Sequence, residues 1–506
     1  MIRLNLIARL RQRSRIVNRE SAMIRTRIVC YITSFIVLFG GAGLVWLCFA
    51  VPLRPHVAKP AVVNRNEGKV SFYHQIKPIL QAKCQGCHQP NVRSGHLMLI
   101  SYADFLKGGT HGPAFVKGHP EKSLVIGYLE GKPELMPQGG PPLSKAEIEL
   151  FKRWIAQGAV DDTPAEHSAY DAAHPPVYTS SPVISAVAFS PDGKTLAVSG
   201  YHEVLLLNAD NGALEARLVG DAQRIQSLVF TKDGKTLIAV GGSPARFGEI
   251  QFWDVPNHKR IDSVRYTYDT LFGASLSPDD KELAFGGADN TVRVVSVPDG
   301  KQIMMLENDT DWVFGTVFSR DGKYVVSASR DEALKLTQVE TGSFIDDINT
   351  HTTPMRCMVG RPGQDQVLCG GDDGIPRLYK IFRTEARTMN NEDHNLIRAF
   401  ERQPDTITAL AFDPTGNLCA VASEAGTVNL YDVDSGAKKL SLPPVRGAVF
   451  TLAFRPDGNV LATAGFDGYV RYYDVRSGRL LRAFIPVPIH RPNRSALSVR
   501  RRGHHG

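Results

Sequence analysis

Residues 183–200 read VISAVAFSPDGKTLAVSG. A run rich in β-branched and aromatic residues meets Ser-Pro-Asp-Gly, and a second such run follows. Ser at the first position, Pro at the second and Gly at the fourth suit a type I turn, so the stretch predicts a hairpin. The same turn chemistry returns down the chain. TKDG ends at Gly234, SPDD at Asp280, SRDG at Gly322, GRPG at Gly363, DPTG at Gly416 and RPDG at Gly458, which sets intervals of 41, 46, 42, 41, 53 and 42 residues starting from Gly193. A third apolar run follows each hairpin: VLLLNA, EIQFWDV, TVRVVSV, LKLTQV, IPRLYKI, TVNLYDV and YVRYYDV.

A period of about 40–45 residues with four strands per unit is that of a propeller blade, and seven such units close into a ring. The expected fold over residues 183–487 is therefore an all-β, seven-bladed propeller. Either the final run RLLRAFIPV completes the last blade alone, or a strand near Val177 helps to close the ring. The repeats resemble WD-repeat propellers. Trp253-Asp254, Tyr431-Asp432 and Tyr473-Asp474 stand at the dipeptide position, and Asp289, Asp331, Asp373 and Asp467 at the acidic position of the preceding turn. Most repeats lack the Gly-His pair, and Ala425 replaces the acid in the sixth. The resemblance implies a protein-docking scaffold whose acids hold turns. The 53-residue interval carries an insertion, RTEARTMNNEDHN, residues 383–395. It reads as a solvated loop or as a contact surface.

Upstream, residues 83–90 read KCQGCHQP. A zinc site needs about four ligands, and no second C-x-x-C exists in the chain. A thiol redox pair would follow a strand in a βαβ pattern. Here Val70, Tyr73, Ile76, Ile79 and Leu80 recur at helical spacing before it. C-x-x-C-H is the motif of c-type haem attachment. Cys84 and Cys87 can each add to a vinyl group of one porphyrin, and His88 then stands beneath the iron. The best candidate for the sixth ligand is Met136 in LMPQGG, a thioether stiffened by the proline after it. His96, His111 and His119 are the alternatives, and Met98, in LMLI, reads as core. Ser144 and Glu147 form a capping box for a closing helix with Ile148, Phe151 and Ile155 on one face and Gly158 at its end.

Residues 70–162 resemble the planctomycete-type cytochrome c domain. The matching pieces are FYHQIKPILQAKCQGCH, GHPEKSLVIGYL, LMPQGG and LSKAEIELFKRWIAQGA. The resemblance implies a small all-α domain with covalent haem c on Cys84 and Cys87 and with His88 and Met136 as axial ligands. Such domains commonly read MPP, and here Gln138 follows Pro137.

The 506-residue chain has a net charge of +8. Residues 1–27 hold eight arginines against one glutamate, +7, and residues 491–506 hold five arginines and no acid, +5. That leaves −4 for residues 28–490, so the basic character lies in the tails and a nucleic-acid partner is not expected. Residues 28–53 carry no charge and are long enough to cross a bilayer core of about 30 Å. With residues 1–27 as a basic cytoplasmic segment, the expected topology is a single pass through the cytoplasmic membrane with the C-terminal domains in the periplasm or cell exterior. A cleaved signal is the rival reading, with small residues at Cys48-Phe49-Ala50. Residues 163–182 read as a linker and 488–506 as a basic tail. Of seven cysteines, Cys357, Cys369 and Cys419 are scattered. Cys357 and Cys369 are either a pair across one hairpin or two small buried residues.

The expected function is electron transfer by a membrane-anchored cytochrome carrying one haem, with a redox partner protein docking on the propeller. The propeller holds no G-x-S-x-G, H-E-x-x-H or second haem motif. The alternatives are a haem-fed periplasmic oxidoreductase with its active site in the propeller, and a redox sensor.

Overall fold

A computed structural model of the chain describes residues 68–89, 94–138, 140–163, 170–349, 353–384 and 393–490. The basic segment 1–27, the apolar span 28–53, the tail from 491 onward and residues 385–392 of the insertion lie outside the described residues. Among the described residues no helix is long and apolar enough to cross a membrane.

The first part is helical. A π-helical turn, Phe72–Ile76, runs into α1, Lys77–Lys83. Short helices α2, Tyr102–Lys107, and α3, Leu124–Leu129, follow, and α4, Lys145–Ala156, closes the domain. The Ser144–Glu147 capping box forms as read, and Gly158 takes the left-handed φ of +95° that ends the helix. The buried stripe of the first helix is Val70, Phe72, Ile76 and Leu80. Tyr73, expected in that stripe, is only half-buried, because the π turn advances the inward face by one residue. Met98 also departs from its core reading. Leu99 is buried in the core and Leu97 packs against it, whereas Met98 is half-exposed and is not part of that cluster.

The core of this domain is built on Trp154. Its ring lies 5.4 Å from Phe72, 5.9 Å from Phe105 and 4.9 Å from Phe115, and its Nε1 donates to Val160 O at 3.1 Å. Three bonds pair the first and last helices antiparallel. Val70 N donates to Gln157 Oε1 at 2.7 Å, Tyr73 N to Asp162 Oδ1 at 2.9 Å, and Lys83 Nζ lies 2.8 Å from Glu147 Oε1.

From Val187 the chain is all strand. It forms one seven-stranded and five four-stranded antiparallel sheets. The seven-stranded sheet is two four-stranded units sharing the strand Leu214–Phe230, whose first half pairs with Tyr201–Asn208 and second half with Thr236–Ser243. The innermost strands pack side by side in chain order, and the last, Val449–Phe454, returns to the first, Val187–Phe189. Val187 N donates to Thr451 Oγ1 there at 3.0 Å. Leu480–Phe484 forms the outer strand of the last sheet, and Tyr178 bridges Ile489 in parallel.

The turn motif works through its side chains. Ser190, Thr231, Ser277 and Ser319 each donate their hydroxyl to the acid two residues on, at 2.6–2.7 Å. In the fifth interval's DPTG the roles invert, with Thr415 Oγ1 donating to Asp413 Oδ2 at 2.6 Å. The acids read as turn holders have a second partner each. Asp289, Asp331, Asp373 and Asp467 pair with Arg293, Lys335, Arg377 and Arg471, four residues on. Cys357 stands opposite Gly370 and Cys369 opposite Met358. The two cysteines are thus offset by one residue, on opposite faces of the hairpin. They are separate thiols.

One acid is mismatched. Asp309, whose side chain is fully buried, shares Lys335 with Asp331. Burial pushes the Asp309 carboxyl up from 3.8 to about 6, against the pull of Lys335. A carboxyl with a raised folded pKa binds its proton more tightly folded than unfolded. Stability is therefore lost as pH rises from about 4 through about 6. The expected result is that Asp309→Asn raises the stability of the strand domain at pH 8 by about 1–3 kcal/mol and leaves it unchanged near pH 4. Urea midpoints at the two pH values check this. Equal destabilisation at both would contradict it.

Candidate functional site

At the end of α1 the chain makes one more helical turn. Cys84 N donates to Leu80 O at 2.9 Å, and the amides of Cys87 and His88 both donate to Cys84 O at 3.2 Å. That turn brings Cys84, Cys87 and His88 to the wall of one cavity of ≈ 400 Å³. Leu80, Leu97, Leu99, Ala114, Val125, Leu129 and Phe151 supply apolar walls. Lys83, Thr110, Glu134 and Gln138 add polar groups to the lining.

His88 is held for ligation. Its Nδ1 lies 3.0 Å from Ser94 O. A carbonyl oxygen only accepts, so Nδ1 carries the hydrogen and Nε2 keeps its lone pair. Cys84 is a protonated thiol at neutral pH. Burial pushes it up to about 11, and nearby Lys83 lowers it by less. A thiol so placed is a poor thiolate nucleophile or zinc ligand.

Met136 lines the same cavity, half-buried, with its amide donating to Tyr128 O at 3.0 Å. Of the three alternative histidines only His111 lines it. His96 Nδ1 lies 3.3 Å from Thr110 Oγ1, and His119 Nδ1 lies 3.0 Å from Glu121 Oε1. The residues fit a haem. Two thiols at C-x-x-C spacing, an imidazole with a free Nε2, a thioether and apolar walls are the donor set and enclosure of an iron porphyrin.

The strand domain encloses a second cavity, a central channel of ≈ 850 Å³. Ser185, Gln226, Phe272, Phe314, Arg356, Thr408 and Phe450 line it; six of them stand five residues before the turn motif of their repeat, and Arg356 stands four before GRPG. None of the lining residues is a histidine. Among the described residues no group of three or more His, Cys, Asp or Glu side chains is arranged to hold a metal ion. Tyr178, from the linker, also lines the channel and is fixed by Glu203 at 2.7 Å.

From Gly68 onward the chain forms a single compact unit. Ser101 Oγ and Tyr268 OH, one from each domain, lie 2.8 Å apart. The groove beside them is lined by Gln85, inside the cysteine motif, by Gln89, directly after it, and by Arg246 and Asp269. Sequence reasoning missed Ser94, Tyr128 and Tyr268. The first acts through a backbone carbonyl, which has no residue signature, and the other two sit in runs that read as packing.

Comparison with known families agrees with this arrangement. The family model described as planctomycete cytochrome C matches residues 84–138. The model described as WD domain, G-beta repeat matches residues 173–204, 300–337, 394–432 and 441–474. No curated protein matches the chain. The chain is thus a fusion of a cytochrome c domain with WD repeats. More particularly, its first domain is of the planctomycete cytochrome c type, which implies a haem cofactor, and its second is a repeat scaffold of a kind that generally mediates protein–protein interaction.

Proposed function

We propose that the chain is a membrane-anchored, exported c-type cytochrome that carries one covalent haem c and transfers electrons. The observation that carries this reading is the meeting of Cys84, Cys87, His88 and Met136 on one apolar cavity. Cys84 and Cys87 would hold the porphyrin as thioethers, and His88, through Nε2, and Met136, through its sulfur, would ligate its iron. A bound haem supplies reversible one-electron chemistry, and thioether ligation raises its potential. The apolar walls exclude water from the iron.

The repeat domain is a seven-bladed propeller, counting the seven-stranded sheet as two blades that share a strand. It serves as the docking scaffold for the redox partner. Residues 28–53 anchor the chain, the arginines of 1–27 stay inside, and both domains lie outside the cytoplasmic membrane. The channel supplies no histidine for a second haem, which favours a carrier over a propeller-based oxidoreductase.

The test uses membranes from cells making the full chain. Redox titration followed by haem absorbance is expected to give a single reversible one-electron transition. Protease added to spheroplasts is expected to cut the propeller. Absence of a reversible transition would overturn the electron-transfer reading, and protection of the propeller would overturn the topology.

A further inference from the structure

One metal-binding side chain on the haem cavity has no role in the reading above. His111 lines it together with Cys84, Cys87, His88 and Met136. Its position is set by a glycine-rich turn. Gly109 and Gly112 form an antiparallel bridge, and Thr110 N donates to Gly95 O at 2.8 Å. A Cβ at Gly108 would collide with Gly112 O, and one at Gly109 with Gly95 O, so this path requires both glycines. Gly95 directly follows Ser94, whose carbonyl holds the His88 imidazole. The turn that carries His111 is thereby pinned to the loop that orients the proximal ligand.

The ring itself is exposed, and its Nδ1 lies 3.3 Å from Tyr128 OH. Tyr128 is also the residue whose carbonyl accepts from Met136 N at 3.0 Å. One tyrosine therefore holds His111 by its hydroxyl and Met136 by its backbone. When the His111 Nδ1–H donates to that hydroxyl, Nε2 carries a lone pair, as in His88.

We propose that His111 is a second distal ligand of the haem iron, exchanging with Met136 at the sixth position. The proposal rests on the haem reading above. The chemistry of the two donors gives the exchange a direction. A thioether is soft and favours ferrous iron, whereas an imidazole is harder and favours ferric iron. Met136 ligates the reduced protein, and His111 competes for the oxidised one. The swap breaks one Fe–S bond and forms one Fe–N bond, with no change in electron count beyond the reduction that biases it.

The experiment uses the full haem-loaded chain and the variants Met136→Ala, His111→Ala and the double variant, each first shown to retain covalent haem on a denaturing gel. Electron paramagnetic resonance of the oxidised protein is expected to show two low-spin species, one lost in His111→Ala and the other in Met136→Ala. Met136→Ala stays low-spin with a lowered potential, and the double variant becomes high-spin and binds added imidazole. The proposal is overturned if Met136→Ala is already high-spin and indistinguishable from the double variant. It is equally overturned if His111→Ala alone turns high-spin, since His111 would then be the resident ligand. Retention in Met136→Ala of the charge-transfer band of a thioether bound to ferric iron would strike instead at the Met136 assignment, and the exchange would fall with it.

Discussion

The Cys84→Ala/Cys87→Ala variant is expected to run as a haem-free band on a denaturing gel, where the unaltered chain keeps a haem-staining band. The effect is all-or-none because it concerns covalent bonds. Both thiols sit on the cavity wall, one helical turn apart, and both are free. Each single variant should retain stain, held by the one remaining thioether. The double variant keeps His88, its Ser94 contact and the apolar walls, so haem that still enters is held by ligation alone and is removed by acid–acetone. Covalent stain surviving in the double variant would show that the attachment lies elsewhere.

Trp154→Ala is expected to have the largest effect on stability of any single change in the helical domain. The side chain is wholly buried among Phe72, Phe105 and Phe115, and its indole N–H satisfies Val160 O. Truncating a buried Trp costs about 3–5 kcal/mol. A small domain has about 5–15 kcal/mol in all. The expected outcome is a fall of well over about 10 °C in the melting of the helical domain. Loss of low-spin haem absorbance reports that transition. The strand domain, with its own clusters of buried residues, should keep its far-ultraviolet transition unchanged. A shift of only a degree or two would mean that the cavity left by the indole collapses and that the aromatic cluster is not what holds the haem domain together.

Much of this arrangement is legible in the sequence because it repeats. The turn motif from Gly193 to Gly458 marks the hairpins, since a type I turn needs those residue types in that order. That Cys84, Cys87 and His88 belong together was legible for a similar reason: C-x-x-C-H is a fixed spacing, and one helical turn brings all three to one cavity wall. Met136 could be named only as the best of four candidates, and the structure narrows the histidine alternatives to His111. What stayed hidden depends on backbone atoms or on a local change of period. The Ser94 carbonyl leaves no trace in residue type. The π turn at Phe72–Ile76 shifted the buried stripe from Tyr73 to Phe72. The shared strand Leu214–Phe230 contains GDAQ, which reads as a loop. The cation that partners each turn acid had a visible signal. DNTVR, DEALK, DGIPR and DGYVR place Arg or Lys four residues after Asp in four repeats. The spacing escapes notice because i,i+4 pairs are sought on helices, whereas here the acid sits in a turn and the cation on the strand leaving it.

The central claim is one covalent haem on the Cys84–His88 turn. Its most direct test is the intact mass of the purified full chain under denaturing conditions, read together with iron per chain. The account predicts a mass increased by a single haem, one iron per chain, and the added mass carried by the peptide that contains Cys84 and Cys87. A chain without added mass would contradict covalent attachment, and two irons per chain would contradict the single-haem carrier.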